Sequence, residues 1–259
     1  MTTRTTDTGE PSSAHRPDCA RRRTDYTPRS PQEEFGSPLI LHNIEETFRL
    51  HCTNVAPGSR ALDAGCGRQP FRGKLEALGY AYTGMDVVQS PENSVDVVAP
   101  LDGELPQALV ERGPFQFILC TEVMEHVADW NAAMANLFAV TAPGGKVLIT
   151  CPFFYVLHEE PFDYWRPTYH ALKHRAEAAG FRMISYAESG DGWDILGTLL
   201  AHCNVSAPTR SFADRAVSKL CRVAKNALVR LLISRRLQRH ARLRGRIYMS
   251  NAVVLERPA

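Results

Sequence analysis

The stretch that most constrains the fold of this chain is Leu62-Asp63-Ala64-Gly65-Cys66-Gly67. There a short apolar strand runs into an acidic residue and then into two glycines separated by one residue. Glycine lets the backbone adopt a positive φ and lets a ligand approach closely, because it has no Cβ. Gly65 and Gly67 therefore predict a tight strand-to-helix loop whose backbone amides face a bound small molecule.

Strand and helix patterns alternate regularly on both sides of this loop. Strands are predicted over residues 59–64, 81–87, 94–98, 115–120, 146–151, 181–187 and 247–255, and helices near 39–55, 71–79, 104–112, 130–140 and 167–180. Apolar strands that alternate with helices indicate an α/β fold with a parallel-type sheet covered on both faces. Ligands of such sheets bind at the carboxyl ends of the strands.

The length and bulk composition allow one large domain or two small ones. The chain has 259 residues, 44% hydrophobic and 22% charged, which is enough for a sizeable core. Residues 1–35 are rich in Thr, Ser, Pro and Arg, so we expect a disordered tail there and a single domain over 36–259. The longest apolar run is too short to span a membrane, and the first residues lack a signal-peptide core. Seven scattered cysteines without a CxxC pair favour a cytoplasmic location.

The residues around the glycine loop discriminate between two cofactor classes. Dinucleotide sites require a third glycine, and Pro70 stands in that position. Asp63 precedes the loop, and a carboxylate there repels a pyrophosphate but suits a cationic ligand. Asp86 follows at the end of the next strand, about 20 residues on. A nucleotide that carries an ammonium and a sulfonium fits this pattern better than a dinucleotide.

In this order, the motifs resemble the class I S-adenosylmethionine-dependent methyltransferases, specifically the type-11 group. The resemblance spans roughly residues 58–188 and runs through Leu62–Gly67, Tyr82–Asp86, Thr121–His126, Pro143–Gly145, Cys151–Phe153, His158–Arg166 and Ala179–Phe181. It implies a three-layer, Rossmann-like, seven-stranded methyltransferase fold with a helical insertion before the last strand. The alternative is a generic nucleotide-binding α/β domain, or a cofactor-fold protein that acts as a non-catalytic partner.

The same resemblance implies how S-adenosylmethionine is bound. Asp63 would bind the ammonium of its methionine part, Asp86 the ribose hydroxyls, and Glu122 would lie near the methionine end. The family usually has an acid where this chain has Pro100, so either Asp102 substitutes or the adenine contact is apolar. The full implied set is Asp63, Gly65, Cys66, Gly67, Met85, Asp86, Val87, Leu101, Asp102, Thr121 and Glu122.

The loop after the fifth strand, residues 152–169, falls where the methyl acceptor must lie. His158 is the candidate general base, because imidazoles exchange protons near neutral pH. Glu159 and Tyr164 are further catalytic candidates. Alternatively, these polar residues only hold the loop in place. We expect a small-molecule acceptor, with a hydroxyl of a secondary metabolite or glycan favoured over an amine.

A second possibility is a divalent metal bound by Glu122, Glu125, His126 and His158. This constellation resembles the metal site of some 2′-O-methyltransferases of small RNAs and of ubiquinone-pathway O-methyltransferases. A metal there would lower the pKa of an acceptor hydroxyl. The alternative, which we favour, is that the glutamates serve the cofactor and the histidines pack.

Residues of about 190–245 form a strongly basic insertion that is predicted to be helical. Over 212–241, apolar residues recur at helical spacing, with arginines and lysines on or near the opposite side. A lid or homodimer helix with a solvated basic face is the favoured interpretation, and peripheral contact with anionic lipid is the second. Nucleic-acid binding is disfavoured, because few aromatic residues are available to stack on bases.

Overall fold

The computed structural model describes residues 22, 24–53, 55–206, 211–243 and 245–259. Seven strands form one sheet: β1 (Arg60–Ala64), β2 (Ala81–Asp86), β3 (Val97–Val98), β4 (Phe115–Thr121), β5 (Thr141–Pro152), β6 (Arg182–Ser189) and β7 (Ser250–Glu256). The helices are α1 (Ser37–His51), α2 (Arg72–Ala77), α3 (Gln107–Arg112), α4 (Trp130–Val140), α5 (Tyr169–Ala178), α6 (Gly192–His202), α7 (Phe212–Ile233) and α8 (Arg236–His240).

The strands lie side by side in the order β3-β2-β1-β4-β5-β7-β6. Strands β1 to β5 pair in parallel, whereas β7 is antiparallel to both β5 and β6. The expectation of a parallel-type sheet is therefore corrected at β7. The chain leaves β6 at Ser189, forms α6 to α8 and enters β7 at Ser250, which pairs with Ser189. The insertion thus returns the chain to the same edge of the sheet, whereas a parallel crossover would carry it to the opposite edge.

The sheet is covered on both faces, as the fold class requires. Successive residues of a strand point to opposite faces. In β4, Ile118 packs with Trp130 and Leu137 on the α4 side, whereas Phe117 packs with Ile44 and Phe48 of α1 on the other. All six side chains are buried. The observed architecture is the predicted three-layer α/β fold.

Several element boundaries differ from the expected ones for local reasons. The third strand was expected over 94–98 but contains only Val97 and Val98. The backbone N–H of Ser94 donates to Ser90 Oγ and that of Val95 donates to Gln89 Oε1, each at 2.9 Å. Because side chains accept these hydrogen bonds, the two N–H groups do not pair with a neighbouring strand. At Pro143-Gly144-Gly145 a turn was expected, but these residues lie within β5, which begins at Thr141. Gly144 has φ +72°, and the register against β4 shifts there.

The described part of the expected disordered tail packs against the domain. The Tyr26 ring stacks on Phe71 with centroids 5.3 Å apart. Phe35 is completely buried in a cluster with Ala201 of α6 and Val229 of α7. The boundary expected at residue 35 is therefore too late in the chain, because these aromatic side chains bury apolar surface despite their polar neighbours. Residues 1–21 and 23 of the expected tail lie outside the described residues.

The insertion before the last strand is helical, as expected. Helix α6 begins with a capping box between Asp191 and Asp194, and α7 begins with another between Ser211 and Asp214. Each box satisfies backbone N–H groups that a helix start leaves without a partner. Among the described residues, no helix is both long and apolar enough to cross a membrane.

Candidate functional site

One large cavity, of about 730 Å³, opens at the carboxyl ends of β1, β2 and β4. This is the edge at which parallel α/β sheets bind ligands, and the volume suits a nucleotide-sized molecule. The structure brings all eleven residues of the expected cofactor set to its wall: Asp63, Gly65, Cys66, Gly67, Met85, Asp86, Val87, Leu101, Asp102, Thr121 and Glu122. Pro100 lines the same wall beside Asp102.

The glycine loop has the predicted backbone but a different hydrogen-bonding role. Gly65 has φ +81°, and a Cβ on it would lie 2.2 Å from Val123 Cγ2, so no other residue fits. The Gly65 and Cys66 N–H groups donate to Met85 O at 2.7 and 2.9 Å, and the Gly67 N–H donates to Asp86 Oδ2 at 2.9 Å. The expectation that these amides face the ligand is wrong. They hold the end of β2 in place, so the loop positions Asp86.

The Asp86 carboxylate is buried and accepts three hydrogen bonds. Besides Gly67, the Val88 N–H donates to Oδ1 at 3.2 Å, and Arg22 Nη1 donates to Oδ2 at 2.5 Å. Arg22 itself lines the cavity and lies 4.0 Å from Glu159. A residue of the N-terminal segment thus occupies one oxygen of the carboxylate that is expected to bind the ribose.

Asp63 tests whether the cavity suits a cationic ligand. Its carboxylate is 2% exposed and accepts a hydrogen bond from Tyr82 Oη at 2.9 Å. Burial, with a smaller contribution from the Asp86 charge, raises the pKa of Asp63 to about 7. Among the described residues, no cation pairs with Asp63, and a buried acid of this kind that faces a cavity favours a positively charged ligand group. The ammonium and sulfonium of S-adenosylmethionine therefore fit this wall.

Glu122 adds a second, partly buried acid to the same wall. Its backbone has φ +52°, uncommon for a residue with a Cβ, and Thr150 Oγ1 accepts its N–H at 3.2 Å. Burial raises the pKa of the Glu122 carboxyl to about 7. The Ser250 hydroxyl of β7 lies 3.5 Å from Glu122 Oε1 and also lines the cavity. Sequence reasoning missed Ser250, because only the antiparallel pairing of β7 with β5 brings it there.

The acceptor loop positions His158 through Asp163 and Arg166. Arg166 donates to both Asp163 oxygens, at 2.6 and 2.7 Å, and the His158 N–H donates to Asp163 Oδ2 at 2.9 Å. Although burial acts against it, these donors keep the pKa of Asp163 below its usual value. His158 Nδ1 lies 3.2 Å from Val156 O and 3.3 Å from Asp163 Oδ2. Both neighbours are acceptors, so Nδ1 carries the proton and Nε2 keeps its lone pair.

Glu125, His126 and His158 form a cluster behind this loop. His126 Nε2 and His158 Nε2 lie 3.8 and 3.9 Å from Glu125 Oε1. Glu125 is completely buried, and within the described residues neither of its oxygens accepts a hydrogen bond from nitrogen or oxygen. The thiol of Cys151, a weak donor, is its polar neighbour. Burial raises the pKa of Glu125 well above its usual value, and burial lowers that of His126.

The other expected acceptor-side residues separate into two groups. Glu159, like His126 and His158, lines the cavity. Tyr164 does not: the residue is 45% exposed, and its backbone N–H donates to Glu125 O at 2.8 Å. The expectation of a catalytic Tyr164 is therefore corrected, because its backbone and not its phenol faces the site. No residue of α7 lines the cavity either, so the expected lid over the pocket is also corrected.

The structure adds cavity residues that the sequence patterns did not indicate. Tyr155 and Met249 line it, as do Leu39 and Ile40 of α1. The Tyr155 ring lies edge-on to His158, with centroids 5.4 Å apart. Aromatic residues in the 152–169 loop were the signal available for Tyr155. No motif pointed to α1, whose helical spacing is equally typical of a helix that only packs.

Comparison with known proteins identifies the family. The Methyltransferase domain family matches residues 35–186, more than half of the chain. A ubiquinone biosynthesis O-methyltransferase of Pseudomonas entomophila is 29% identical over 139 residues, which cover 49% of this chain and 54% of that protein. The match thus spans about half the length of this curated relative.

Two solved structures share the fold over most of their length. One is the putative methyltransferase of Haloferax volcanii in complex with the Trm112 methyltransferase activator, with a TM-score of 0.52, 15% identity, and coverage of 88% of this chain and 94% of that one. The other is a putative sarcosine dimethylglycine methyltransferase of Galdieria sulphuraria, with a TM-score of 0.51, 11% identity, and coverage of 92% and 94%. The motifs, the strand order and the family match together show that this chain is a class I S-adenosylmethionine-dependent methyltransferase of the type-11 group.

Proposed function

We propose that this enzyme transfers the methyl group of S-adenosylmethionine to a hydroxyl of a small molecule, with His158 as general base. The observation that carries the proposal is the chain of contacts from Arg166 through Asp163 to His158. It orients an imidazole with its Nε2 lone pair available on a ring that lines the cavity. The curated relative, named as an O-methyltransferase, supports a hydroxyl acceptor.

The residues of the chain would divide the work as follows. Asp63 and Asp86 bind and orient the cofactor, which supplies an electrophilic methyl group on a sulfonium. The acceptor hydroxyl lies against the 152–169 loop, and His158 Nε2 takes its proton as the oxygen becomes nucleophilic. Asp163 holds the Nδ1 proton and stabilises the resulting imidazolium, and Arg166 keeps Asp163 ionised. The buried Asp63 and the partly buried Glu122 contribute their carboxyls to the cofactor wall of the cavity.

Incubation with methyl-labelled cofactor tests this proposal. Hydroxylated aromatics, sugars and amines would be supplied as candidate acceptors, and products would be identified by mass spectrometry. We expect label in a methyl ether, and fragmentation would distinguish it from an N-methyl product. Label found only on amines would contradict the hydroxyl proposal, although the methyltransferase assignment would stand.

A second candidate function, metal-assisted O-methylation, has a specific observation in its favour. Glu125, His126 and His158 direct a carboxylate and two imidazoles toward one point. Phe162 O lies 3.0 Å from His126 Nδ1, so both histidines place their protons on Nδ1 and leave Nε2 as an acceptor. The Glu125 carboxylate and the two Nε2 atoms are all lone-pair donors to a metal, and such a set suits a divalent cation such as Zn²⁺ or Mn²⁺. Such a cation would lower the pKa of an acceptor hydroxyl. Glu122, expected in this site, is outside the cluster.

His126→Ala separates the two candidates. If His158 acts as a base alone, the variant keeps turnover within a few-fold of wild type. If a metal assists, we expect a loss of at least about 100-fold. Calorimetric titration of the protein with Zn²⁺ and with Mn²⁺ gives an independent readout. One equivalent bound by wild type and none by Glu125→Gln would support the metal, whereas no binding to wild type would exclude it.

A further inference from the structure

Helix α7 presents a wide apolar face to solvent. On its inner side, Val229 and Leu232 are buried in a cluster with Phe35, and Ser218 is buried as well. The exposed fractions of its outer apolar residues are 88% for Phe212, 58% for Val217, 69% for Leu220 and 58% for Val223, with Leu228 and Leu231 also exposed. At 100° per residue, these six side chains fall within about half of the helix circumference. An exposed apolar face of this extent indicates an interaction surface.

Basic residues border this face on one side. Arg215, Lys219, Arg222 and Arg230 follow one another along the flank next to Val223, and all are exposed. Over residues 211–243 there are nine arginines and lysines and a single acid, Asp214. In the described part of the chain, Arg235 is the member of this set that forms an ion pair with a carboxylate, that of Asp194. The flank therefore carries a concentrated and largely uncompensated positive charge.

The combination of an apolar face and a cationic flank distinguishes between possible partners. A second copy of this chain would bring the same flank against itself across a two-fold axis, and like charges would repel. A nucleic acid would pair with the arginines but leave the apolar face uncovered. An anionic lipid surface complements both the apolar face and the cationic flank. Its acyl chains contact the apolar side chains, and its headgroups pair with the arginines and lysines.

We propose that α7 is a peripheral membrane-binding helix that lies along an anionic lipid surface. Its 22 residues give a helix about 33 Å long, enough to lie flat with the apolar face at the acyl boundary. Helix α6 connects this surface to the cavity, because Thr198 Oγ1 contacts Met249 Sδ at 3.6 Å and Met249 lines the cavity. A membrane-bound α7 thus places the methyl-transfer site one helix away from the lipid.

Vesicle flotation of the full-length protein tests the proposal. We expect wild type to float with phosphatidylcholine vesicles that contain phosphatidylglycerol, and to bind much less to phosphatidylcholine alone. The variant Val217→Asp/Leu220→Asp removes two exposed apolar contacts and should lower the partition coefficient by about 100-fold. The matched control is Leu50→Asp/Val110→Asp, which changes two side chains that are each 54% exposed on other helices. It should float like wild type.

Two results would overturn the proposal. One is that wild type stays in the aqueous fraction with anionic vesicles, or that Val217→Asp/Leu220→Asp floats as well as the control. The other is that light scattering shows a wild-type dimer that this variant converts to a monomer, which would assign the face to a second copy. Cofactor binding by all three proteins, measured with S-adenosylhomocysteine, reports that the domain is folded and is independent of the lipid result.

Discussion

The cavity has a cofactor edge, with Asp63 and Asp86, and an acceptor edge, with Glu125, His126 and His158. Two buried carboxylates, one at each edge, differ in their hydrogen bonding. At the cofactor edge, Asp86 is 2% exposed and accepts hydrogen bonds from Gly67, Val88 and Arg22. At the acceptor edge, Glu125 is fully buried, and the described residues supply it no nitrogen or oxygen donor. A buried ion without donors costs far more free energy than one that is hydrogen-bonded. The surroundings of Asp86 are therefore built to hold a charge, and those of Glu125 to take up a proton or a cation.

This difference separates binding from chemistry. The carboxylate at the cofactor edge is locked by backbone N–H groups, so it can recognise a ligand without rearranging. The imidazoles at the acceptor edge are oriented by carbonyls and by Asp163, and their Nε2 atoms stay available. Substitutions at the cofactor edge should therefore act on affinity, and those at the acceptor edge on turnover.

The largest effect is expected at the acceptor edge. His158→Ala should lower kcat by about 1,000-fold, because the general base is removed, while affinity for S-adenosylhomocysteine changes less than about twofold. Steady-state kinetics with an acceptor from the labelled-cofactor screen, and calorimetry, measure the two quantities. His174→Ala, at an exposed position of α5, is the matched control. Full activity of His158→Ala would end the general-base proposal.

The next effect tests the cofactor edge. Asp86→Ala should weaken S-adenosylhomocysteine binding by about 100-fold, because two charge-assisted hydrogen bonds to the ribose are lost. The control is Asp96→Ala, since Asp96 also accepts a backbone N–H of β2, from Gly84 at 2.8 Å, but does not line the cavity. Circular dichroism confirms that both variants are folded. Unchanged affinity in Asp86→Ala would show that the ribose lies elsewhere.

A smaller effect, on stability, follows from the raised pKa of Asp63. Its folded value of about 7 exceeds the unfolded value of about 3.9. The folded state therefore binds more protons between these values, and stability is lost as pH rises through this window. The free energy of unfolding of Asp63→Asn, relative to that of wild type, should therefore increase by roughly 2 to 3 kcal/mol from about pH 5 to pH 8.

Denaturant unfolding at the two pH values measures this difference, with Asp96→Asn, at an exposed position, as the control. The same Asp63→Asn protein should bind S-adenosylhomocysteine more weakly, because the ligand ammonium loses its counter-charge. Opposite changes in stability and affinity would sharpen the contrast between the edges. If the stability difference between Asp63→Asn and wild type were the same at both pH values, Asp63 would not be the uncompensated acid of the cofactor edge.

The smallest effect concerns Arg22, whose guanidinium forms an ion pair with the Asp86 carboxylate. Arg22→Ala should strengthen S-adenosylhomocysteine binding by about three- to tenfold, because the ribose no longer competes with the guanidinium. Arg29→Ala is the control in the same segment, since Arg29 pairs with Asp25 outside the cavity. Weaker binding in Arg22→Ala would instead place the guanidinium in contact with the cofactor, and the cofactor edge would include the N-terminal segment.

The cofactor edge was more predictable from the sequence than the acceptor edge. Residues 62–67 and 81–86 are consecutive stretches at the ends of adjacent parallel strands, so their order along the chain already implies their proximity. In the acceptor loop, the same reasoning located His158 but also selected Tyr164, whose phenol faces outward. A loop without a repeating pattern does not determine which of its side chains point inward, because that depends on what packs beneath it.

The sequence by itself determined the α/β class, the glycine loop, the acids at the ends of β1 and β2, and the helical insertion. These features depend on local periodicity and on glycine stereochemistry. Only the tertiary structure decided which groups satisfy those acids, that Arg22 and Phe35 belong to the folded domain, and that the apolar face of α7 points to solvent. Helical spacing shows that one face is apolar, but what that face contacts depends on residues far away in the chain.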